Sequence, residues 1–236
     1  MRNYIILNGK SSSELRGLLI QNLPPISKPR IRTTIEEIDG RDGDIVTKLG
    51  YSAYDKEFDI GLYDDFNMDD IIPFFNTEGK VVFSNEIDKY YKYQILEQIN
   101  FERLIRFKTA RVKMHVQPFK YSSVEGVRTF NIDEETEISI KNNGNYFSKP
   151  KITITGSGTI NLSINGYQVL VIDLSDDTAV VIDTANMEAY NPTSGDLMNR
   201  QITGNYNDLN LEVGINTISW SGTITKIEIE NYSRWL

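Results

Sequence analysis

The alternation of apolar and polar positions predicts a chain built mainly of β-strands. Residues 4–7 form a short apolar run stopped by the turn pair Asn8-Gly9. Leu23-Pro24-Pro25 and Pro29 mark an extended connector. Residues 30–38 follow as a strand with Ile31, Thr33 and Ile35 on one face, and a polar double-glycine turn over residues 39–44 ends it. Residues 51–63 alternate again, with Phe58, Ile60 and Leu62 in phase, and residues 80–84 and 90–99 read as further strands. Residues 104–117 give the clearest long strand. Its apolar positions are odd at Ile105 and Phe107, then even at Ala110, Val112, Met114 and Val116. That change of face predicts a β-bulge or a strand that leaves one sheet for another.

One helix start stands out. Asn67 caps a turn carrying Asp69 and Asp70, whose carboxylates complement the helix dipole. Ile71, Ile72, Phe74 and Phe75 supply an apolar side, while Pro73 and Gly79 limit the length. Such a short helix covers one end or face of a sheet.

Pro118, Ser122, Ser123 and Gly126 interrupt the pattern, which predicts two β-rich domains, residues 1–121 and 122–236. Beyond residue 136, turn signals separate strands at regular intervals: Asn142-Asn143-Gly144, Gly156-Ser157-Gly158, Asn165-Gly166, Asp176-Asp177 and Ser221-Gly222. Residues 160–164 and 167–172, joined by Asn165-Gly166, read as a hairpin. The spacing is that of an antiparallel β-sandwich, with one long loop over residues 191–200.

Composition narrows the function. At 236 residues, with 39% hydrophobic and 25% charged residues, the chain has ordinary globular make-up. A net charge of −8 argues against a nucleic-acid-binding face and suits a surface that must not adhere to phosphate backbones. The absence of cysteine removes disulfides and thiolate metal sites. The first ten residues hold only a three-residue apolar run, too short for a signal-peptide core, so assembly in a cytosol is expected. No run reaches the length of a membrane span, and no membrane partner is expected.

Candidate chemistry is sparse. His115, the one histidine, lies on a polar strand face beside Arg111 and Lys113, which suits a surface or subunit contact better than zinc. Asp39, Asp42 and Asp44 miss the calcium-loop pattern because Arg41 takes an alternate position. Turn formation and helix capping account for these acids and for Asp64, Asp65, Asp69 and Asp70. With 33 acids, a pair able to hydrolyse a glycoside carries no information. No nucleophile elbow, P-loop, dinucleotide fingerprint or zinc-protease motif is present. No enzyme, cofactor or metal is therefore expected. Trp220, at period two after Ile218, is either a core residue or a platform for a sugar ring. Trp235 suits docking against a neighbour or the other domain.

Several segments, taken in order, resemble the distal tail protein (Dit) family of long-tailed, siphovirus-type phages. They are Ile38-Asp-Gly-Arg-Asp-Gly43 after its strand, the short helix followed by Lys80-Val-Val-Phe and Asp88-Lys-Tyr-Tyr-Lys-Tyr93, Leu104-Ile-Arg-Phe-Lys through Val116-Gln-Pro-Phe-Lys-Tyr121, and Asn142-Asn-Gly-Asn-Tyr-Phe-Ser-Lys-Pro-Lys-Ile-Thr-Ile154. The resemblance spans nearly the whole chain. It implies an N-terminal β-sandwich-like domain with a short helix that closes a hexameric ring, and a C-terminal galectin-like β-sandwich. It further implies a structural protein of the virion at the phage tail tip. There the ring joins the tail tube protein to the baseplate hub, a tail-associated lysin or fibre protein, and supports receptor-binding proteins. DNA would pass the lumen without specific binding, and the host would be a Gram-positive bacterium. Within the ring, Arg41, Asp42, Gly43 and His115 are expected near subunit contacts. The galectin likeness concerns the fold: a lactoside site needs His, Asn and Arg on adjacent strands, and no histidine follows residue 121. The alternative reading is a carbohydrate-binding adhesion module for host cell-wall glycans, with Trp220 as its platform.

Overall fold

The computed structural model describes residues 2–236. The chain is mainly β and divides into two compact units, one running to Ser123 and including Leu236, the other Val124–Trp235.

The first unit contains β1 (Ile5–Leu7), β2 (Lys10–Ser11), β3 (Leu18–Ile20), β4 (Ile31–Glu37), β5 (Asp44–Tyr51) and β6 (Tyr54–Leu62). These are followed by α1 (Met68–Phe74), β7 (Glu78–Phe83), β8 (Lys89–Gln94), α2 (Phe101–Phe107) and β9 (Thr109–Ser122). An antiparallel sheet runs β2-β1-β7-β8-β9-β6-β3. Asn8 and Gly9 both have positive φ, at 49° and 88°, and this tight turn sets Leu7 opposite Lys10. On β6 and β9 the register places Phe58 opposite Val112 and Ile60 opposite Ala110. The same face of both strands is thus apolar, and these side chains join Ile5, Leu7, Val81 and Tyr91 in one core. Helix α1 begins as the sequence predicts: Asn67 Oδ1 accepts from the Asp69 amide, and Ile71 and Phe74 are buried.

The structure corrects the expected long strand over residues 104–117. Its first part is α2, capped by Asn100, whose Oδ1 accepts from the Arg103 amide at 2.7 Å. Lys108, at φ 59°, ends the helix in the left-handed region, and β9 starts one residue later. The apparent change of face is therefore a helix-to-strand junction, and the described residues of the unit hold a second short α-helix beside α1. Strand β8 ends at Gln94, short of the expected Ile99, and β5 occupies residues from which the sequence suggested no strand.

Strands β4 and β5 form a two-stranded sheet of their own. The hairpin pairs Ile31 with Tyr51 at its root and Glu37 with Asp44 at its tip, with a register shift between Arg32 and Thr33.

The second unit contains β10 (Arg128–Asn131), β11 (Glu137–Asn142), β12 (Lys151–Ile164), β13 (Tyr167–Leu174), β14 (Ala179–Asp183), β15 (Glu188–Tyr190), β16 (Ile202–Gly204) and β17 (Gly214–Glu230). Strands β12 and β17 are long and belong to two layers. Residues 151–155 of β12 pair with β14 and with residues 226–230 of β17. Residues 158–164 pair with β13, and residues 161–164 pair with residues 218–221 of β17. The register breaks near Gly156 and Ser157, where both long strands turn the corner. Inward residues from both halves, including Ile152, Ile154, Ile160, Leu162, Ile227 and Ile229, meet in one core. The predicted hairpin forms on Asn165 and Gly166, at φ 52° and 85°, with Ile164 opposite Tyr167.

Candidate assembly surfaces

Three features of the first unit stand out: an exposed hairpin, a buried knot of charges at its root, and a ladder of surface charges. The β4–β5 hairpin is the first. Its root packs on the sheet through Tyr51 against Phe119, but further out the strand pair leaves apolar residues in water. Ile35 and Val46 face each other across the ladder, yet remain 59% and 56% exposed. Ile38 and Leu49 are likewise exposed. Arg41, Asp42 and Gly43 lie at the hairpin tip in the open, where Gly40 and Gly43 take φ of 81° and 78°. Glycine supplies the left-handed backbone that the turn requires.

The second feature holds the root of this hairpin. Lys56, on the inward phase of β6 and 3% exposed, donates from Nζ to the Pro25 carbonyl at 2.9 Å. Its ammonium lies 4.7 Å from the centre of the Tyr91 ring and 5.7 Å from that of Phe83. Lys120, also buried, pairs with Glu86 at 2.8 Å, and the Tyr91 hydroxyl donates to the other Glu86 oxygen at 2.7 Å. Burial pushes Lys56 down to about 8, with Lys120 adding to the fall and Glu86 opposing it. Burial and the Glu86 carboxylate push the Tyr91 phenol far up. Around this knot, Asn85 donates to the Pro24 carbonyl and the Ser52 amide to Arg30. The connector that leads into the hairpin is thus tied to the sheet at several points.

A charge ladder on β6 and β9 is the third. The register sets Asp55 opposite His115, Glu57 opposite Lys113 and Asp59 opposite Arg111. His115 Nδ1 lies 2.8 Å from Asp55 Oδ1, Lys113 Nζ is 2.6 Å from Glu97 and 3.2 Å from Asp55, and Arg111 Nε donates to Asp59 at 3.0 Å. The His115 hydrogen bond, reinforced by Lys113, holds the Asp55 carboxyl below its ordinary range. Arg111 does the same to Asp59. Glu97 and Asp55 push Lys113 up to about 12.

His115 and the residues of the hairpin tip thus stand on separate elements. Asp65 pairs with Arg16, and Asp70 accepts from the capping Asn67, so these acids have structural partners. Trp220 lies in the core of the second unit opposite Leu162 and is 7% exposed. A ring that stacks on sugar needs an open face, and Trp220 does not present one. The sequence reading missed the Lys56–Glu86–Lys120 knot because its members are far apart in the chain. A signal was present: Lys56 precedes Phe58 by two residues and shares its inward phase, as Lys120 continues the even-numbered phase of Val112 and Val116.

No protein-family model and no curated protein matches the chain. Solved structures do. The chain is similar to SPP1 Dit (gp 19.1), described as a paradigm of hub adsorption apparatus in Gram-positive infecting phages, with 16% identity, a TM-score of 0.65 and full coverage of both chains. It is similar to a chain of the phage P2 baseplate in its activated conformation with Ca, with 11% identity and a TM-score of 0.53, over 100% of this chain and 98% of that one. The Sr form of that baseplate gives 11% identity, a TM-score of 0.51 and 97% coverage of each. The chain has the Dit fold from end to end.

Proposed function

We propose that the chain is a structural, non-enzymatic subunit of a phage tail tip that closes into a hexameric ring between the tail tube protein and the baseplate hub. The observation that carries this reading is the β4–β5 hairpin. A lone two-stranded ladder is marginal in water, and this one keeps Ile35, Val46 and Leu49 exposed. Covering those residues on the next subunit would stabilise both partners, and a head-to-tail contact of this kind closes when its rotation does. The full-length similarity to a hub protein of an adsorption apparatus supports the same reading. In the ring, Arg41, Asp42 and Gly43 contact a neighbour through the hairpin tip, and His115 does so through the charge ladder. The second unit serves as a galectin-like projection on which hub, fibre or receptor-binding proteins dock. An acidic chain of net charge −8 lets DNA traverse the lumen without adhering.

Light scattering over a range of concentrations, with negative-stain images, tests the reading. Six chains of 27.0 kDa make 6 × 27.0 = 162 kDa. A closed six-fold ring is expected for the intact chain or for the chain co-expressed with its tube neighbour. A variant with residues 32–50 replaced by a short Gly-Ser turn is expected to stay monomeric. A ring that forms equally well without the hairpin would sink the proposed role of that element.

A further inference from the structure

The second unit carries a cleft at the margin of its sheet. Strand β11 buries Ile138, Ile140 and Asn142, which turns Ser139 and Lys141 outward. Lys141 faces Ile215 across the ladder to β17, and Ile215 is 74% exposed. At the other margin, Arg128 opens β10, which borders β17 at Ile229. Tyr232 follows β17 and, with Arg128, Ser139, Lys141, Asn143 and Ile215, lines a cavity of about 300 Å³.

The lining has a definite chemistry. Arg128 and Lys141 have no carboxylate pair among the described residues, whereas Lys226 on the same unit pairs with Glu228 at 3.2 Å. The Glu125 carboxylate, near Tyr232, accepts from Asn143 Nδ2 at 3.0 Å and from Ser233 Oγ at 2.9 Å. Two such cations at one cleft stand out on a chain of net charge −8. Beside them are an aromatic ring, an exposed aliphatic side chain, and the hydroxyl and amide of Ser139 and Asn143. Apolar surface suits the C–H face of a sugar ring, the polar groups suit its hydroxyls, and guanidinium and ammonium suit an attached anion.

We propose that this cleft binds an anionic saccharide, a sugar carrying phosphate or carboxylate, with the ring against Tyr232 and Ile215 and the charge held by Arg128 and Lys141. The volume lies at the small end of ligand sites and suits a terminal or single charged unit. A long nucleic-acid strand is disfavoured by the acidity of the chain as a whole. A tail-tip protein with such a cleft touches charged glycans directly. Binding itself does not depend on the ring.

Saturation-transfer NMR on the full chain tests this, because it observes the ligand whatever the state of assembly. Glucose 6-phosphate and galacturonic acid are expected to receive saturation, and glucose about tenfold less. Inorganic phosphate is expected to compete only weakly. Arg128→Gln and Lys141→Gln should each weaken binding by about tenfold, while Lys226→Gln leaves it unchanged. Equal binding of glucose and its phosphate overturns the role of charge. Displacement by inorganic phosphate as effective as by the sugar phosphate means an adventitious ion only. No saturation, or saturation indifferent to Arg128→Gln and Lys141→Gln, overturns the site. Light scattering on the same samples reports the ring separately, so failure of one reading is not failure of the other.

Discussion

Lys56 reaches through a shell of aromatic rings to donate its Nζ hydrogen to the carbonyl of Pro25, 2.9 Å away. The bond joins the buried face of β6 to the connector that leads into the β4–β5 hairpin. It places an ionisable amine where the sheet otherwise buries Phe58 and Ile60. Desolvation lowers the Lys56 pKa from 10.5 to about 8, so the unfolded chain binds more protons between those values and stability rises with pH there. Burial also pushes up the phenols of Tyr91 and Tyr54. The expected gain from neutral pH to pH about 10 is at most on the order of 3 kcal/mol. Urea denaturation across this range measures it. In Lys56→Met the slope should vanish and residues 21–27 should exchange amide hydrogens faster; an unchanged slope would assign it to another group.

Glu86 serves two buried partners at once, Lys120 and the Tyr91 hydroxyl. Removing its charge leaves Lys120 and Lys56 close together with no counter-ion. Glu86→Gln should therefore destabilise the first unit by roughly 3–5 kcal/mol, the range for breaking a buried pair from one side. Replacing Lys120 and Glu86 together, by Met and Gln, should restore much of the loss. A loss below about 1 kcal/mol in the single variant would mean that water reaches the site and screens it.

The sequence makes the strand phases legible where one face is buried. Phe58, Ile60 and Leu62 on β6, and Ile160 and Leu162 on β12, point inward as their period of two requires. It misleads where a helix is a single short stretch. Phe101 to Phe107 spans too few residues for a helical period to outweigh alternation, and the decisive signal is the capping Asn100. Strand β5 is hidden for a different reason: Val46 and Leu49 remain exposed, so no buried face imposes alternation on it. Trp220 illustrates a further limit. Its phase with Ile218 marks the inward face, but the packing that closes over the ring comes from distant strands. The charged cleft depends on the margins of two layers, which no local pattern brings together.

The cap of α2 gives a direct check on that junction. Asn100→Ala removes the acceptor for the Arg103 amide and should cost about 1 kcal/mol, while Asn100→Asp should be near neutral. Thermal melts of the two variants decide it. An Asn100→Ala protein as stable as the parent would mean that Leu104 packing alone fixes the helix.

The charge ladder should behave differently from the buried knot. Asp55 and Asp59 have lowered pKa values, so their pairs contribute above the ordinary carboxylate range and lose that contribution as pH falls through the depressed values. Both pairs are open to solvent, and Asp55→Asn should cost well under about 1 kcal/mol of monomer stability. If His115 serves a subunit contact, the same substitution should instead weaken assembly, and more so at low salt. Comparing urea stability with ring formation by light scattering separates the effects. A large loss of monomer stability with unchanged assembly would make the ladder a feature of the fold alone.

The corner of the second unit depends on two close backbone approaches. Gly222 has φ of 102°, and a Cβ there would meet the Thr159 carbonyl oxygen. A Cβ on Gly156 would meet the Thr223 carbonyl oxygen and press on Ile224. These glycines let β12 and β17 bend together, so that their two halves lie in separate layers around one core. Backbone atoms cannot yield as a flexible side chain can. Gly222→Ala adds left-handed strain to the clash and should cost more than about 2 kcal/mol; Gly156→Ala should cost a comparable amount from the clash alone. Gly158, at φ 70° with open space around its Cβ position, is the control: Gly158→Asn should be tolerated within about 1 kcal/mol. Native-state hydrogen exchange should localise the loss to residues 124–235. Equal tolerance at all three positions would show that the corner is free to shift and that the long strands do not require this close approach.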